Sequence, residues 1–251
     1  MATRNSNLGH SDSSKYLVIH EYGANPSQAD VYSHGRSEEI IGAAIKNFAL
    51  PRESLVLMTK IFYALEPSTQ PPISAVMDPL ALPNRVGLSR KHILSAVAEC
   101  CERLGTYIDL LQVHRYDPNV PVEETVKALH DVVQSGQVRY IGASSMPAWQ
   151  FQKMQNVAEK NGWTKFISMQ GYYNLIYREE EREMIPYCKD AGIGLCQWSP
   201  LGRGILSRPW NDRTSKRDQS DQLLKNMVRG KGMEDIDQAI VGRVEEISKK
   251  R

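Results

Sequence analysis

No stretch of this sequence approaches the roughly 18 consecutive apolar residues that a membrane-spanning helix requires. Residues 1–15 are polar and contain no apolar core of a signal peptide, so neither a membrane span nor a secretory leader is expected. A basic block is missing too. The net charge is +2, from 31 basic and 29 acidic residues, and gives no electrostatic reason for a nucleic-acid partner. Cysteine is scarce: Cys100 and Cys101 are adjacent, and Cys188 and Cys196 stand apart. That set has neither metal-ligand spacing nor the look of a disulfide framework, so no metal site is expected and the thiols fit a reducing compartment. These absences point to a soluble, cytoplasmic protein whose partner is a small molecule.

At 251 residues the chain is long enough for one α/β domain with a substantial core, since single α/β barrels run to about 250 residues. The stretch that organises it is IDLLQVHRYDP, residues 108–118. Ile108 to Val113 reads as a strand buried on both faces, interrupted by Gln112, and it runs directly into His114, Arg115, Tyr116 and Asp117. In a parallel α/β barrel, side chains just past the carboxyl end of a strand line the active-site face. His114 therefore stands where a catalytic residue belongs, or it is a histidine satisfied by local hydrogen bonds; by itself it does not decide.

Elsewhere the pattern alternates. Met1 to Ser14 is expected to be disordered and Lys15 to Tyr22 to make a short strand. Residues 37–49 predict a helix with Ser37 as N-cap and an apolar face of Ile40, Ile41, Ala44, Ile45 and Phe48, which puts Tyr32 on the loop entering it. Ser54 to Ile61 predicts a buried strand with Lys60 at its carboxyl end, where an ammonium must reach solvent or a partner. The Pro-rich stretch from Phe62 to Gly87 is too long for an ordinary connection and reads as a functional lid or insertion. Ser89 caps a helix that Gly105 ends. Helices follow at 122–135, 147–161, 178–191 and 235–250, and strands at 138–143, 166–170 and 194–198. Repeated strand–loop–helix units predict a parallel sheet with helices outside it.

Six ordered segments carry a family resemblance: ADVYSHGRSEEIIG (29–42), LVLMTK (55–60), GTYIDLLQVHRYD (105–117), GQVRYIGASSM (136–146), SMQGYYNLIYRE (168–179) and WSPLGRGIL (198–206). Together they resemble the aldo-keto reductases, nearest to the fungal aryl-alcohol dehydrogenase-like branch. The resemblance implies an eight-stranded (β/α)8 TIM-type barrel that binds NADP(H) across the carboxyl ends of its strands and exchanges hydride with a carbonyl or alcohol substrate. It assigns the general acid to Tyr32, the lysine beside it to Lys60 and the carbonyl-orienting histidine to His114. Ser144, Ser145 and Gln170 match contacts to the nicotinamide carboxamide, although many members carry asparagine where Ser145 stands. Trp198 matches the aromatic against the nicotinamide ring, Ser199, Leu201 and Gly202 the pyrophosphate loop, and Arg203 adds charge there. Taken singly, Ser144 and Ser145 also read as a serine turn and Trp198 as a core anchor.

The sequence departs from the family pattern in three places. Ser27 occupies the position of the aspartate that pairs with the lysine, and Asp30 matches a different position. The first barrel strand and helix do not match residues 1–26, and the eighth strand would lie beyond Arg251. The expectation is an atypical segment over residues 1–28, then a reductase domain over 29–251 whose barrel is incomplete, lacking its first and last strands. Two other functional classes stay open: a catalytically impaired remnant or regulatory subunit, motivated by Ser27, and an isomerase or aldolase using Lys60 as a Schiff-base former.

Overall fold

Strands and helices alternate as the hydrophobic pattern requires. The computed structural model describes residues 17–18, 29–30, 32–65, 84–212, 214 and 234–250. The expectations for Met1 to Ser14, for Ser27 and for most of the Pro-rich stretch lie outside the described residues. Two units gather the chain. One holds the described residues of Met1–Ala143 and Gln152–Phe166, the other those of Ser144–Phe151 and Ile167–Arg251.

In the first unit, β1 (Leu17–Val18) pairs in parallel with β2 (Leu55–Val56). A tight turn at Tyr32–Gly35 leads into α1 (Arg36–Asn47). Strands β3 (Met58–Ile61), β4 (Ile108–Val113) and β5 (Val138–Ser144) form a parallel ladder, with Lys60 opposite Gln112 and Gln112 opposite Gly142. Helix α2 (Arg90–Leu104) connects β3 to β4, and α3 (Val122–Gln134) connects β4 to β5. The Ser89 hydroxyl accepts from the His92 N–H at the start of α2, and Gly105 closes it, as the sequence predicts. Val122, Val126, Leu129 and Val132 recur at helical spacing on α3 and are all buried. Each such side chain contributes about 1.5–3 kcal/mol of burial, so packing rather than helix propensity holds α3 in place.

The second unit carries α4 (Ala148–Asn161) in part, β6 (Phe166–Gln170), α5 (Met184–Asp190) and β7 (Gly194–Leu195). In it β6 and β7 are parallel, with Ser168 opposite Gly194 and Met169 opposite Leu195. A looped 3-10 segment, Gly202–Ser207, packs Ile205 and Leu206 against Val241 of α6 (Glu234–Lys249). The five barrel strands expected from the sequence are thus present as β3 to β7, in an α/β chain of parallel strands with intervening helices.

Four elements differ from the sequence reading. The strand expected over 54–61 is broken at Leu57, whose N–H donates to the Asp109 carboxylate at 2.7 Å. Asp109 also binds Arg52 at 2.7 Å and is a second polar residue within β4. The helix expected over 178–191 shrinks to α5 because Pro186 lacks an N–H and is tolerated only in a first turn. Pairing at β7 covers two residues, and Trp198 joins Tyr172 only through an isolated bridge.

The fourth difference is at α1. Gly35 (φ 82°), not Ser37, precedes the helix, and Ser37 is buried in its first turn. Ile40 and Phe48 of the expected apolar face are 57% and 75% exposed, whereas Glu38 and Ile41 are buried. The helix is turned so that Glu38 meets Arg103 and Gly42 lies against the backbone of α2. A Cβ at Gly42 would stand 2.6 Å from the Arg103 carbonyl oxygen and 2.8 Å from that of Leu104. Gly42→Ala should therefore cost about 1–3 kcal/mol by forcing the two helices apart. Urea denaturation reads this directly, and a loss below about 0.5 kcal/mol would contradict the close packing.

Candidate functional site

Three of the residues singled out by sequence meet in the first unit. Tyr32 opens the turn before α1, its N–H bonded to the Ala29 carbonyl at 3.0 Å. The turn is unusual: Ser33 and His34 have φ of 48° and 53°, left-handed values that cost non-glycine residues energy and that cluster at functional sites. Lys60, in β3, is 2% exposed. Its carbonyl accepts the N–H of Asp30 at 3.0 Å, so the Ala29–Tyr32 turn is fastened to the strand at the lysine itself. The Lys60 ammonium stands 5.4 Å from the centroid of the Tyr32 ring. His114 follows the last residue of β4, is buried, and donates its N–H to the Ile61 carbonyl at 3.0 Å. Its ring meets Tyr32 edge-on, with centroids 6.0 Å apart and planes at 88°.

The electrostatics follow from burial. Desolvation, and then the charges of Lys60 and Arg115, hold His114 well below its ordinary pKa of 6.5. It is therefore neutral at pH 7, one ring nitrogen a donor and the other an acceptor. Among the described residues its Nδ1 has no hydrogen-bond partner. A histidine with a depressed pKa makes stability pH-dependent, because the unfolded chain takes up the proton first as pH falls. Its contribution is complete above about pH 6.5 and is lost as pH drops below that value toward the folded pKa. His92, whose pKa burial also lowers, adds to the same slope. Denaturation at pH 7.5 and 5.5 should show lower stability at the acid value, with a smaller drop in His114→Asn. An equal drop in that variant would remove His114 from the account.

Sequence reasoning missed three residues around this trio. Tyr63, three places after Lys60, packs against His114 with ring centroids 4.9 Å apart. Gln112 lies opposite Lys60 and is buried, with neither amide atom hydrogen-bonded among the described residues; its polarity inside a buried strand was the available signal. Glu38 is fully buried and accepts from Thr59, the residue before Lys60, at 2.5 Å and from Arg103 at 2.7 Å. In the sequence, the only signal at Glu38 is its place in SEE at the head of a helix, which suits the helix dipole.

The remaining candidates fall in the second unit. The Ser144 hydroxyl and the Ser145 N–H both donate to the Gln170 carbonyl, at 2.9 and 3.1 Å. Trp198 Nε1 donates to the Ser145 hydroxyl at 3.1 Å. One face of the indole is stacked on Tyr172, 4.4 Å away at 30°, a neighbour that the sequence reading did not name. Gln170 is buried and its Oε1 has no partner among the described residues. Beyond Trp198 the backbone turns left-handed repeatedly, at Ser199 (φ 51°), Gly202 (φ 56°), Arg203 (φ 57°) and Gly204 (φ 101°). Within this turn the Gly202 and Gly204 N–H groups donate to the Ser199 and Leu201 carbonyls, at 2.9 and 3.0 Å. Leu201 is exposed on the same loop, and a Cβ at Gly202 would come within 3.2 Å of Ile176.

These residues fit a nicotinamide dinucleotide. The buried Gln170 oxygen, without a partner among the described residues, suits a carboxamide N–H, and the indole face of Trp198 opposite Tyr172 suits a flat heteroaromatic ring. Among the described residues no group of three or more His, Cys, Asp or Glu side chains is placed to hold a metal ion. No described helix is long and apolar enough to cross a membrane.

The chain is 52% identical over 231 residues to a versiconal hemiacetal acetate reductase of Aspergillus parasiticus, covering 89% of this chain and 66% of that protein. It is 50% identical to a putative aryl-alcohol dehydrogenase of Schizosaccharomyces pombe, over 88% of this chain and 70% of that one. A putative aryl-alcohol dehydrogenase of Saccharomyces cerevisiae is 47% identical, over 88% and 65% of the two chains. The chain thus spans about two thirds of the length of the curated relatives it matches. The model of the Aldo/keto reductase family matches residues 27–250, and the chain belongs to that family.

Proposed function

We propose that the protein is an NADP(H)-dependent oxidoreductase that reduces aldehydes or ketones to alcohols, or runs the reverse reaction, with Tyr32 as proton donor. The observation that carries the reading is the grouping of Tyr32, Lys60 and His114: a phenol with an ammonium 5.4 Å from its ring centroid and a neutral imidazole at its edge. When bound, the nicotinamide supplies the hydride. The chain's own residues then manage the oxygen. His114, neutral because it is buried, donates from a ring nitrogen to the carbonyl oxygen and polarises it. As negative charge develops there, the Tyr32 hydroxyl transfers its proton to that oxygen and becomes a phenolate. Lys60 favours that anion by its positive charge, and solvent returns the proton.

In this reading Ser144, Ser145 and Gln170 hold the nicotinamide carboxamide. Trp198 offers the ring face that Tyr172 does not cover, and Ser199, Leu201 and Gly202 hold the pyrophosphate with Arg203 adding positive charge. The substrate is a small carbonyl compound or alcohol. The names of the relatives, a hemiacetal acetate reductase and aryl-alcohol dehydrogenases, support an aromatic carbonyl as the first compound to try. The test is a thermal-shift titration with NADPH followed by turnover of an aromatic aldehyde at saturating nucleotide. At 100 times Kd the nucleotide should stabilise the fold by about 2.7 kcal/mol. Absence of any shift at millimolar NADPH would end the nucleotide reading, and binding without turnover would end the enzymatic one.

A further inference from the structure

We infer that Asn174 is a positioning residue for nucleotide binding: its side-chain amide holds the 199–204 loop in its left-handed form before any nucleotide arrives. The inference rests on the nucleotide reading of that loop given above.

Asn174 is buried in a tight turn, in which its N–H donates to the Tyr177 carbonyl and the Tyr177 N–H donates back, both at 3.1 Å. The side chain is oriented without ambiguity. Its Oδ1 accepts from the Ile176 N–H at 3.0 Å, which leaves Nδ2 to donate to the Ser199 carbonyl at 3.1 Å. A flipped amide would set an NH2 against an N–H and an oxygen against a carbonyl. That same Ser199 carbonyl also accepts from the Gly202 N–H at 2.9 Å, so the contact that closes the loop and the one that anchors it meet on one oxygen. Ser199 and Arg203, both non-glycine, hold φ values of 51° and 57°. Conformations of that kind persist only where surrounding contacts over-determine them.

Two neighbours in the same turn reinforce the template. Tyr172 stacks on Trp198 at 4.4 Å, and Ile176 lies against Gly202, where an added Cβ would come within 3.2 Å of its Cδ1. Tyr172, Asn174 and Ile176 alternate along the chain and meet Trp198, Ser199 and Gly202 in order. The segment is a template against which the loop is laid down, and a loop fixed in advance spares nucleotide binding the entropic cost of ordering it.

Two variants of the full chain test the inference. Asn174→Asp keeps the shape and the acceptor for the Ile176 N–H but turns an oxygen toward the Ser199 carbonyl. Asn174→Ala removes both bonds and adds no charge. Without nucleotide, amide hydrogen exchange at Gly202, Gly204 and Leu206 should be at least about tenfold faster in both variants, while the Tyr177 amide keeps its protection in Asn174→Asp. The Kd for NADP+ should rise at least about tenfold, with the loss in nucleotide affinity rather than in KM for the aldehyde. Unchanged exchange at the three loop amides in either variant overturns the inference. If the wild-type chain binds no NADP+, the nucleotide reading falls on that result, and the exchange measurement still decides whether Asn174 holds the loop.

Discussion

Tyr32→Phe is expected to lower turnover of an aromatic aldehyde by roughly 10²- to 10⁴-fold and to leave the affinity for NADPH within about twofold. The phenyl ring is kept, so the edge-on contact with His114 and the packing of the turn survive and the fold is not the variable. What disappears is the proton that Tyr32 gives in the proposed mechanism. Hydride addition leaves an alkoxide, a far stronger base than a phenolate, so proton transfer from a phenol is downhill even though tyrosine gives protons reluctantly to water at neutral pH. His114 is not expected to substitute, because burial holds it neutral and the proposed mechanism assigns its ring proton to the carbonyl. Steady-state kinetics at saturating nucleotide reads the effect. A variant that keeps more than about a tenth of wild-type turnover would remove Tyr32 from the chemistry and return Lys60 and His114 to a structural role.

The sequence carried much of this arrangement because the residues stand at strand ends. His114 is legible since it follows an apolar run at once, and Lys60 since an ammonium at the end of a buried strand needs a reason. The packing of α1 was not legible. Ile40, Ala44, Ile45 and Phe48 make a convincing apolar stripe, yet a buried carboxylate with two strong partners and a glycine pressed on a backbone outweigh it, and neither preference is visible in hydrophobic periodicity. Pro186 was legible and misjudged: a proline eight residues into an assumed helix should have moved its start to Met184. Asn174 and Tyr172 lie beyond sequence reasoning because their roles depend on a loop 25 residues later returning to the same turn. Ser27, which the resemblance sets at the position of the family aspartate, lies outside the described residues.

Glu38→Ala carries the largest stability effect expected of a single substitution here. Glu38 is fully buried, its carboxylate shared between the Thr59 hydroxyl at 2.5 Å and Arg103 Nε at 2.7 Å, and the Arg103 side chain is itself 13% exposed. Removing the carboxylate leaves a nearly buried guanidinium facing a cavity, and breaking one side of such a pair costs about 3–5 kcal/mol. Glu99, 3.7 Å from Arg103 and partly exposed, recovers some of that, so the lower end of the range is expected. The consequence extends to the site. Glu38 ties the helix that begins just after Tyr32 to the residue just before Lys60, so the same substitution should loosen the spacing between phenol and ammonium. Removing both charges separates the two effects: Glu38→Leu with Arg103→Met should regain most of the lost stability, since well-packed apolar replacements of buried ion pairs are often neutral. It should not regain turnover, because no bond then fixes Thr59 to α1. Urea denaturation and aldehyde reduction measured on the same three proteins decide the matter. A double variant no more stable than Glu38→Ala would mean that the loss does not come from leaving the Arg103 guanidinium unpaired.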